Sequence, residues 1–281
     1  MLAEIQDGFI DVGGIQLYYQ QAGTGAPIVF VHGWSLDSSY WSAQLAFFAA
    51  QGRRAVAYDW RGMGRSAGAQ PAYAFSDLVQ ELGGVLAALG IDRPILCGHS
   101  QGGNIVLDYA LSVPQGLSAL VLADTPGSGS PFFDPRVADA FDAVVDVLRV
   151  VEPDSPLSPL APVFERLLWS ASFRQAHPEV IAAWNAQFVS NSIPGVKNGL
   201  GALANSTAQS GSGVLVPTLL IHGSDDALVP ASEMRAYERN ITNSTYNSIT
   251  GSGHMTPDEQ PATFNADLAS FLASASIQEA T

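Results

Sequence analysis

Positive charge is scarce in this chain. Of 281 residues only 12 are Lys or Arg against 26 Asp or Glu, a formal net charge of −14, and Lys197 is the single lysine. Such a surface repels nucleic acid and anionic membranes and does not steer anionic ligands inward. Neither nucleic acid nor membrane is therefore expected as a partner. Cysteine is scarcer still: Cys97 stands alone, so no intrachain disulfide can form, which suits a reducing compartment. No apolar run approaches the roughly 18 residues of a transmembrane helix. The opening MLAEIQDGFIDVGGIQ carries acids and lacks a basic, then apolar, secretory signal. A cytoplasmic location is the expectation. Metal-ligand spacings, phosphate-cradling loops and dinucleotide fingerprints are also missing, so neither metal nor other cofactor is expected.

What is present is ample core material: 47% of residues are hydrophobic and only 14% charged, a globular composition. Short, unalternating apolar runs at Ile28–Val31, Ala55–Tyr58, Ile95–Cys97, Ala119–Leu122 and Thr218–Ile221 read as strands covered on both faces. A last strand is expected at Thr245–Ile249. Helical patterns fall at about Trp41–Gln51, Phe75–Leu89, Gly102–Ser112, Ala231–Arg239 and Pro261–Ala273. Phe9–Val12 and Ile15–Gln20 flank Gly13-Gly14 as a hairpin. Hairpin first and βαβ repetition after it predict an α/β domain with a mostly parallel sheet.

The rhythm breaks between Thr125 and about Gly213. Prolines there separate expected helices at about Pro135–Val151, Ala161–Ser172 and Pro178–Ser190, and Gly199–Gly213 reads as a return loop. The stretch holds Phe132, Phe133, Phe141, Phe164, Trp169, Phe173, Trp184 and Phe188. A small helical layer cannot bury that many rings internally. Some are expected to line a cleft below it. The organisation read from this is a core of residues 1–124 and 214–281 with a helical insertion at 125–213.

Chemistry concentrates at GHSQGG. Ser100 stands between a strand and a helix, with Gly98 and Gly102 two residues to either side. A tight strand-to-helix turn crowds its central residue, and small neighbours at those positions relieve the crowding, so the hydroxyl projects beside the helix N-terminus. A serine nucleophile needs a base and the base an orienting acid. His254, in the loop TGSGHMTP after the last strand, can lean over the end of the Ser100 strand. His32 and His222 read as loop anchors. Three acids lie just past strand ends: Asp225 and Asp226 in IHGSDDALVP, and Asp124 in LVLADTP. Adjacent carboxylates cannot both reach one imidazole, so one of Asp225 and Asp226 is a solvated loop acid.

From about Gly14 to Leu272 the chain resembles the α/β-hydrolase superfamily. FVHGW is similar to its oxyanion loop, DWRGMGRS to a turn after its fourth strand, GHSQGG to its nucleophile elbow, and GSDDALVP with GSGH to its acid and base loops. The resemblance implies Ser100, Asp226 and His254 as the triad, with Asp124 as the alternative acid. It implies the backbone N–H groups of Trp34 and Gln101 as the oxyanion hole, and 125–213 as a lid or cap. Arg61, Gly62 and Gly64 read as turn scaffolding, with Arg61 bonded to Asp59 or a loop. The implied activity is hydrolysis of a small to medium hydrophobic ester through an acyl-enzyme. HGWSLDSSYW also resembles the cofactor-free haloperoxidase subgroup, esterases with perhydrolase activity, although Gln101 replaces that subgroup's methionine. Lactonases, C–C bond hydrolases and triad-retaining small-molecule receptors share the pattern.

Overall fold

A computed structural model of the chain describes residues 4–66, 72–127, 146–148, 157–204, 209–274 and 277. Among these residues eight strands form one sheet: β1 (Gln6–Val12), β2 (Ile15–Ala22), β3 (Pro27–Val31), β4 (Arg54–Tyr58), β5 (Ile95–His99), β6 (Ala119–Ala123), β7 (Thr218–Gly223) and β8 (Ser244–Ile249). Their order is β1-β2-β4-β3-β5-β6-β7-β8. β2 pairs antiparallel with β1 and β4, and every other neighbouring pair is parallel. The hairpin closes at Val12↔Ile15 with Gly13 and Gly14 at φ 61° and 87°. That left-handed backbone is why two glycines stand there.

The unalternating strands are explained by cover on both faces. In β3, Ile28 and Phe30 join the core shared with Trp41, Leu45, Phe264 and Leu268. Val29 and Val31 face Leu78, Leu82, Ile105 and Met234 on the other side. Helices α1 (Ser42–Ala50) and α9 (Pro261–Ser274) supply the first layer. The second comes from α2 (Phe75–Ala88), α3 (Gln101–Ser112) and α8 (Ala231–Asn240).

Between β6 and β7 the described residues form α4 (Ala161–Leu168), α5 (Ala171–Ala176), α6 (Pro178–Ser190) and α7 (Ile193–Ala204). Two expectations need correction. The helix expected over Ala161–Ser172 breaks at Trp169, which is extended, and Ser170 caps a new helix by accepting from Phe173 N at 3.2 Å. The return loop expected from Gly199 is helical as far as Ala204. The helix expected at Pro135–Val151 lies outside the described residues except for 146–148, which are helical. Phe132, Phe133 and Phe141 lie outside them too.

The five described rings of this region form a continuous file. Phe173 stacks on Trp169 at 5.0 Å, and Trp169 meets Trp184 edge-on at 6.4 Å. Trp184 stacks on Phe188 at 5.3 Å, Phe188 meets Phe164 at 5.2 Å, and Phe164 reaches Trp34 at 5.1 Å. The file thus starts in α5 and ends at the loop after β3.

Candidate active site

Chain order sets the place of the site. From β3 the connection runs outward to β4, whereas from β5 it runs the other way to β6, so the ends of β3 and β5 border a crevice. The loop after β3 carries Trp34, and the turn after β5 carries Ser100.

Ser100 has φ 52° and ψ −122°, a strained backbone for a residue with a side chain. Ser100 N donates to Ala123 O at 2.9 Å, and Ser100 O accepts from Gly103 N at 2.8 Å. The flanking glycines answer to contact rather than to their own φ. A Cβ on Gly98 would overlap the Gly102 carbonyl, and one on Gly102 would overlap the Val31 carbonyl. Gly33 performs the same service from the facing loop, where a Cβ would come within 2.9 Å of His99 Nδ1 and 3.1 Å of Ser100 Cβ.

Across the crevice, His254 Nδ1 donates to Asp226 Oδ2 at 2.8 Å, with both side chains buried. A carboxylate only accepts, so the hydrogen of this bond sits on Nδ1 and Nε2 is the ring nitrogen turned away from Asp226. The other oxygen, Asp226 Oδ1, accepts from Leu228 N at 2.8 Å and Val229 N at 2.9 Å. Asp226 is therefore fixed by its own loop before it fixes the imidazole. The His254 backbone is held twice more: its N–H donates to Leu168 O at 2.8 Å, and its carbonyl accepts from His99 Nε2 at 2.8 Å. Burial and the adjacent His254 push the His99 imidazole well below its usual value, so it stays neutral. This role of His99 was not legible in the sequence, because nothing local links positions 99 and 254.

Asp124 sits on the neighbouring strand end and has different partners. Its Oδ1 accepts from Gly223 N at 2.9 Å and its Oδ2 from the Thr256 hydroxyl. Burial, and then the nearby Asp226 charge, push its carboxyl well above the usual range. Asp225 is exposed and accepts from the Ser224 hydroxyl at 2.8 Å. His32 donates from Nδ1 to Gly33 O at 2.8 Å and stacks on Trp60 at 5.2 Å, and burial lowers it to about 4. His222 donates from Nε2 to Val229 O at 2.8 Å. Asp124, His222 and Asp226 bring three possible ligand atoms within 4.8 Å of one another. Those oxygens and nitrogens already bond to protein groups, which argues against a metal there. The partner of Arg61 is a correction: Nε donates to Glu81 Oε2 at 2.7 Å, whereas Asp59 accepts from Ser38 N at 2.6 Å and Arg65 N at 2.7 Å.

Ser100 and His254 face one pocket whose other walls are mostly apolar, including Trp34, Phe164, Leu168, Leu200, Leu203 and Met255, with Ser35 and His99 beside them. Gln101 is the first residue of α3, whose opening N–H groups have no partner within the helix.

The sequence model described as alpha/beta hydrolase fold matches residues 26–261. The chain belongs to the alpha/beta hydrolase family. It is 30% identical to a non-heme haloperoxidase from Rhodococcus erythropolis, over 93% of this chain and 97% of that one. It is 28% identical to a bifunctional esterase/perhydrolase from Acinetobacter calcoaceticus, with the same two coverages. Among solved structures, a thermophilic esterase from Thermogutta terrifontis is 27% identical, with a TM-score of 0.83 over 95% of this chain and 98% of that one. Among the described residues of this alpha/beta hydrolase, no helix is long and apolar enough to cross a membrane.

Proposed function

We propose that this alpha/beta hydrolase cleaves carboxylic esters with uncharged, apolar acyl groups, using Ser100 as nucleophile, His254 as base and Asp226 as its orienting acid. The observation that carries the reading is the 2.8 Å bond from His254 Nδ1 to an Asp226 held by two backbone N–H groups, facing a serine on a strained elbow. Ser100 Oγ attacks the acyl carbon while His254 Nε2 takes its proton. The Trp34 and Gln101 backbone N–H groups receive the oxyanion. His254 then returns the proton to the leaving alkoxide, and an acyl-serine remains. Water, deprotonated by His254, attacks that ester, and the second collapse frees the acid and the serine. The helices α4–α7 act as a cap whose leucines wall the acyl side.

The test is steady-state turnover of p-nitrophenyl acetate, butyrate and octanoate. Multiple turnovers that Ser100→Ala reduces by about 10⁴-fold or more support the reading. Ester turnover that survives Ser100→Ala overturns it.

A second reading shares the same acyl-serine: hydrogen peroxide in place of water gives a peracid. The relatives named haloperoxidase and perhydrolase favour it. Peracid formation from ester plus peroxide, at the expense of free acid, is its measurement.

A further inference from the structure

Both loops that carry the proposed oxyanion donors are tied to helices α6 and α7. Trp34 Nε1 donates to Val196 O at 2.8 Å, and Gln101 Nε2 donates to Gly199 O at 3.0 Å. Ser35 O, one residue past Trp34, accepts from Asn191 Nδ2 at 3.0 Å and Gln187 Nε2 at 3.2 Å. Val196 and Gly199 are three positions apart, hence on one face of α7. A carbonyl oxygen has two lone pairs, so a helix carbonyl can accept a side chain as well as its own turn.

The seating of α7 on the sheet domain is unusually close, and two glycines four residues apart permit it. A Cβ on Gly195 would overlap the Gly62 carbonyl, in the turn after β4. A Cβ on Gly199 would lie 2.9 Å from Trp60 Cη2, 3.0 Å from Trp34 Cδ1 and 3.2 Å from Met63 Cε. The helix therefore rests directly on the loops it bonds.

Those loops need holding. Ser35 has φ 64° and Ser100 has φ 52°, so each tends to relax toward ordinary backbone. The Gln101 side chain is fully buried, and its Oε1 has no partner among the described residues. An apolar side chain would fill that space without stranding an oxygen. Its single bond to Gly199 is what the amide contributes.

We propose that Gln101, Trp34 and Asn191 are positioning residues that brace the two oxyanion N–H donors against α6 and α7. The proposal rests on the reading of Ser100 as the nucleophile. Donors act on charge only if they already stand at about 2.7–3.1 Å from where the oxyanion forms. Bracing from a packed helix keeps them there without reorganisation during the reaction. The ground-state carbonyl sits elsewhere and gains little from the brace.

The experiment begins with p-nitrophenyl butyrate turnover that Ser100→Ala abolishes; if no such turnover exists, the nucleophile reading has failed rather than this one. Gln101→Met and Asn191→Leu, neither of which lines the pocket, are then compared with the intact wild-type chain. Two inhibitors of equal length separate the states. 1,1,1-Trifluorohexan-2-one forms a tetrahedral hemiketal oxyanion on a serine, and hexan-2-one competes without forming a stable one. Each variant is expected to lose about 10-fold or more in kcat and in trifluoroketone affinity together, with KM and hexan-2-one affinity within about 3-fold of wild type. The proposal is overturned if kcat and trifluoroketone affinity stay within about 2-fold, if both inhibitors weaken equally, or if kcat falls without the trifluoroketone. Should Gln101→Met fail to fold, Asn191→Leu applies the same criteria, because Asn191 acts on Ser35 O and lies outside the elbow.

Discussion

At the scale of single residues, two buried carboxylates at neighbouring strand ends divide the work by their hydrogen bonds. Asp226 spends one oxygen on the Leu228 and Val229 N–H groups and the other on His254. Asp124 spends both on Gly223 and Thr256. Asp226→Asn is therefore expected to lower kcat by about 10³–10⁴-fold, since the Leu228 and Val229 N–H groups hold the amide oxygen and turn its NH2 toward Nδ1, which selects the wrong imidazole tautomer. Asp124→Asn can still accept from Gly223 N and donate to the Thr256 hydroxyl, and is expected to stay within about 10-fold. Parallel kinetics on one ester decide between them, and the reverse ranking would move the acid to β6. A third carboxyl gives a pH signature. Burial first, and then Glu259, pushes Asp258 up to about 7. An unfolded Asp titrates near about 3.9, so between roughly pH 4 and 7 the folded chain keeps a proton that the unfolded chain releases. The contribution of Asp258 thus favours folding at low pH and is lost as pH rises to 7. Asp258→Asn is expected to raise the melting temperature at pH 8 and leave it nearly unchanged at pH 4.

At the scale of elements, the elbow is a packing joint between β5, α3 and the end of β3. Gly98→Ala and Gly102→Ala each drive a methyl into a main-chain carbonyl. Each is expected to cost about 1–3 kcal/mol in denaturant unfolding, and to slow labelling of Ser100 by a fluorophosphonate. The same joint shows what the sequence made legible. Strands β3 to β7 were readable because both faces are covered, which leaves runs such as IVFV and ALVLA with no alternation to misread. Ser100, Gly98 and Gly102 were readable because their spacing answers a local steric need. By contrast α7, IPGVKNGLGALA, is composed against its own helicity, with Pro194 and three glycines in it. Its helix is decided by tertiary contact: Gly195 and Gly199 lie against Gly62, Trp60 and Trp34, none of which is near in sequence. Glu81, twenty positions from the Arg61 it binds, was hidden for the same reason. Propensity reads neighbours along the chain, and these residues answer to neighbours across it.

At the scale of the whole molecule, the net charge of −14 surrounds a pocket with apolar walls. An ester bearing a carboxylate on its leaving group must approach against that field. Its kcat/KM is expected to rise about 2- to 10-fold when salt is raised from 10 to 200 mM, because screening shortens the repulsion. A neutral ester of the same size serves as control and is expected to change little. The opposite ordering would show that the surface field does not reach the pocket mouth. A different consequence follows from how His254 is held. Its N–H belongs to the end of α4 through Leu168 and its carbonyl to the elbow through His99, while Glu259 beyond it accepts from Ser170 N at 2.9 Å. The loop of His254 is thus tied to α4, and a peripheral helix can open locally while the sheet stays paired. Warming would disarm the site before it unfolds the protein: catalysis would fade some degrees below the loss of far-UV ellipticity and return on prompt cooling. On this expectation, the heat tolerance of the proposed activity belongs to one short helix, not to the sheet that carries Ser100.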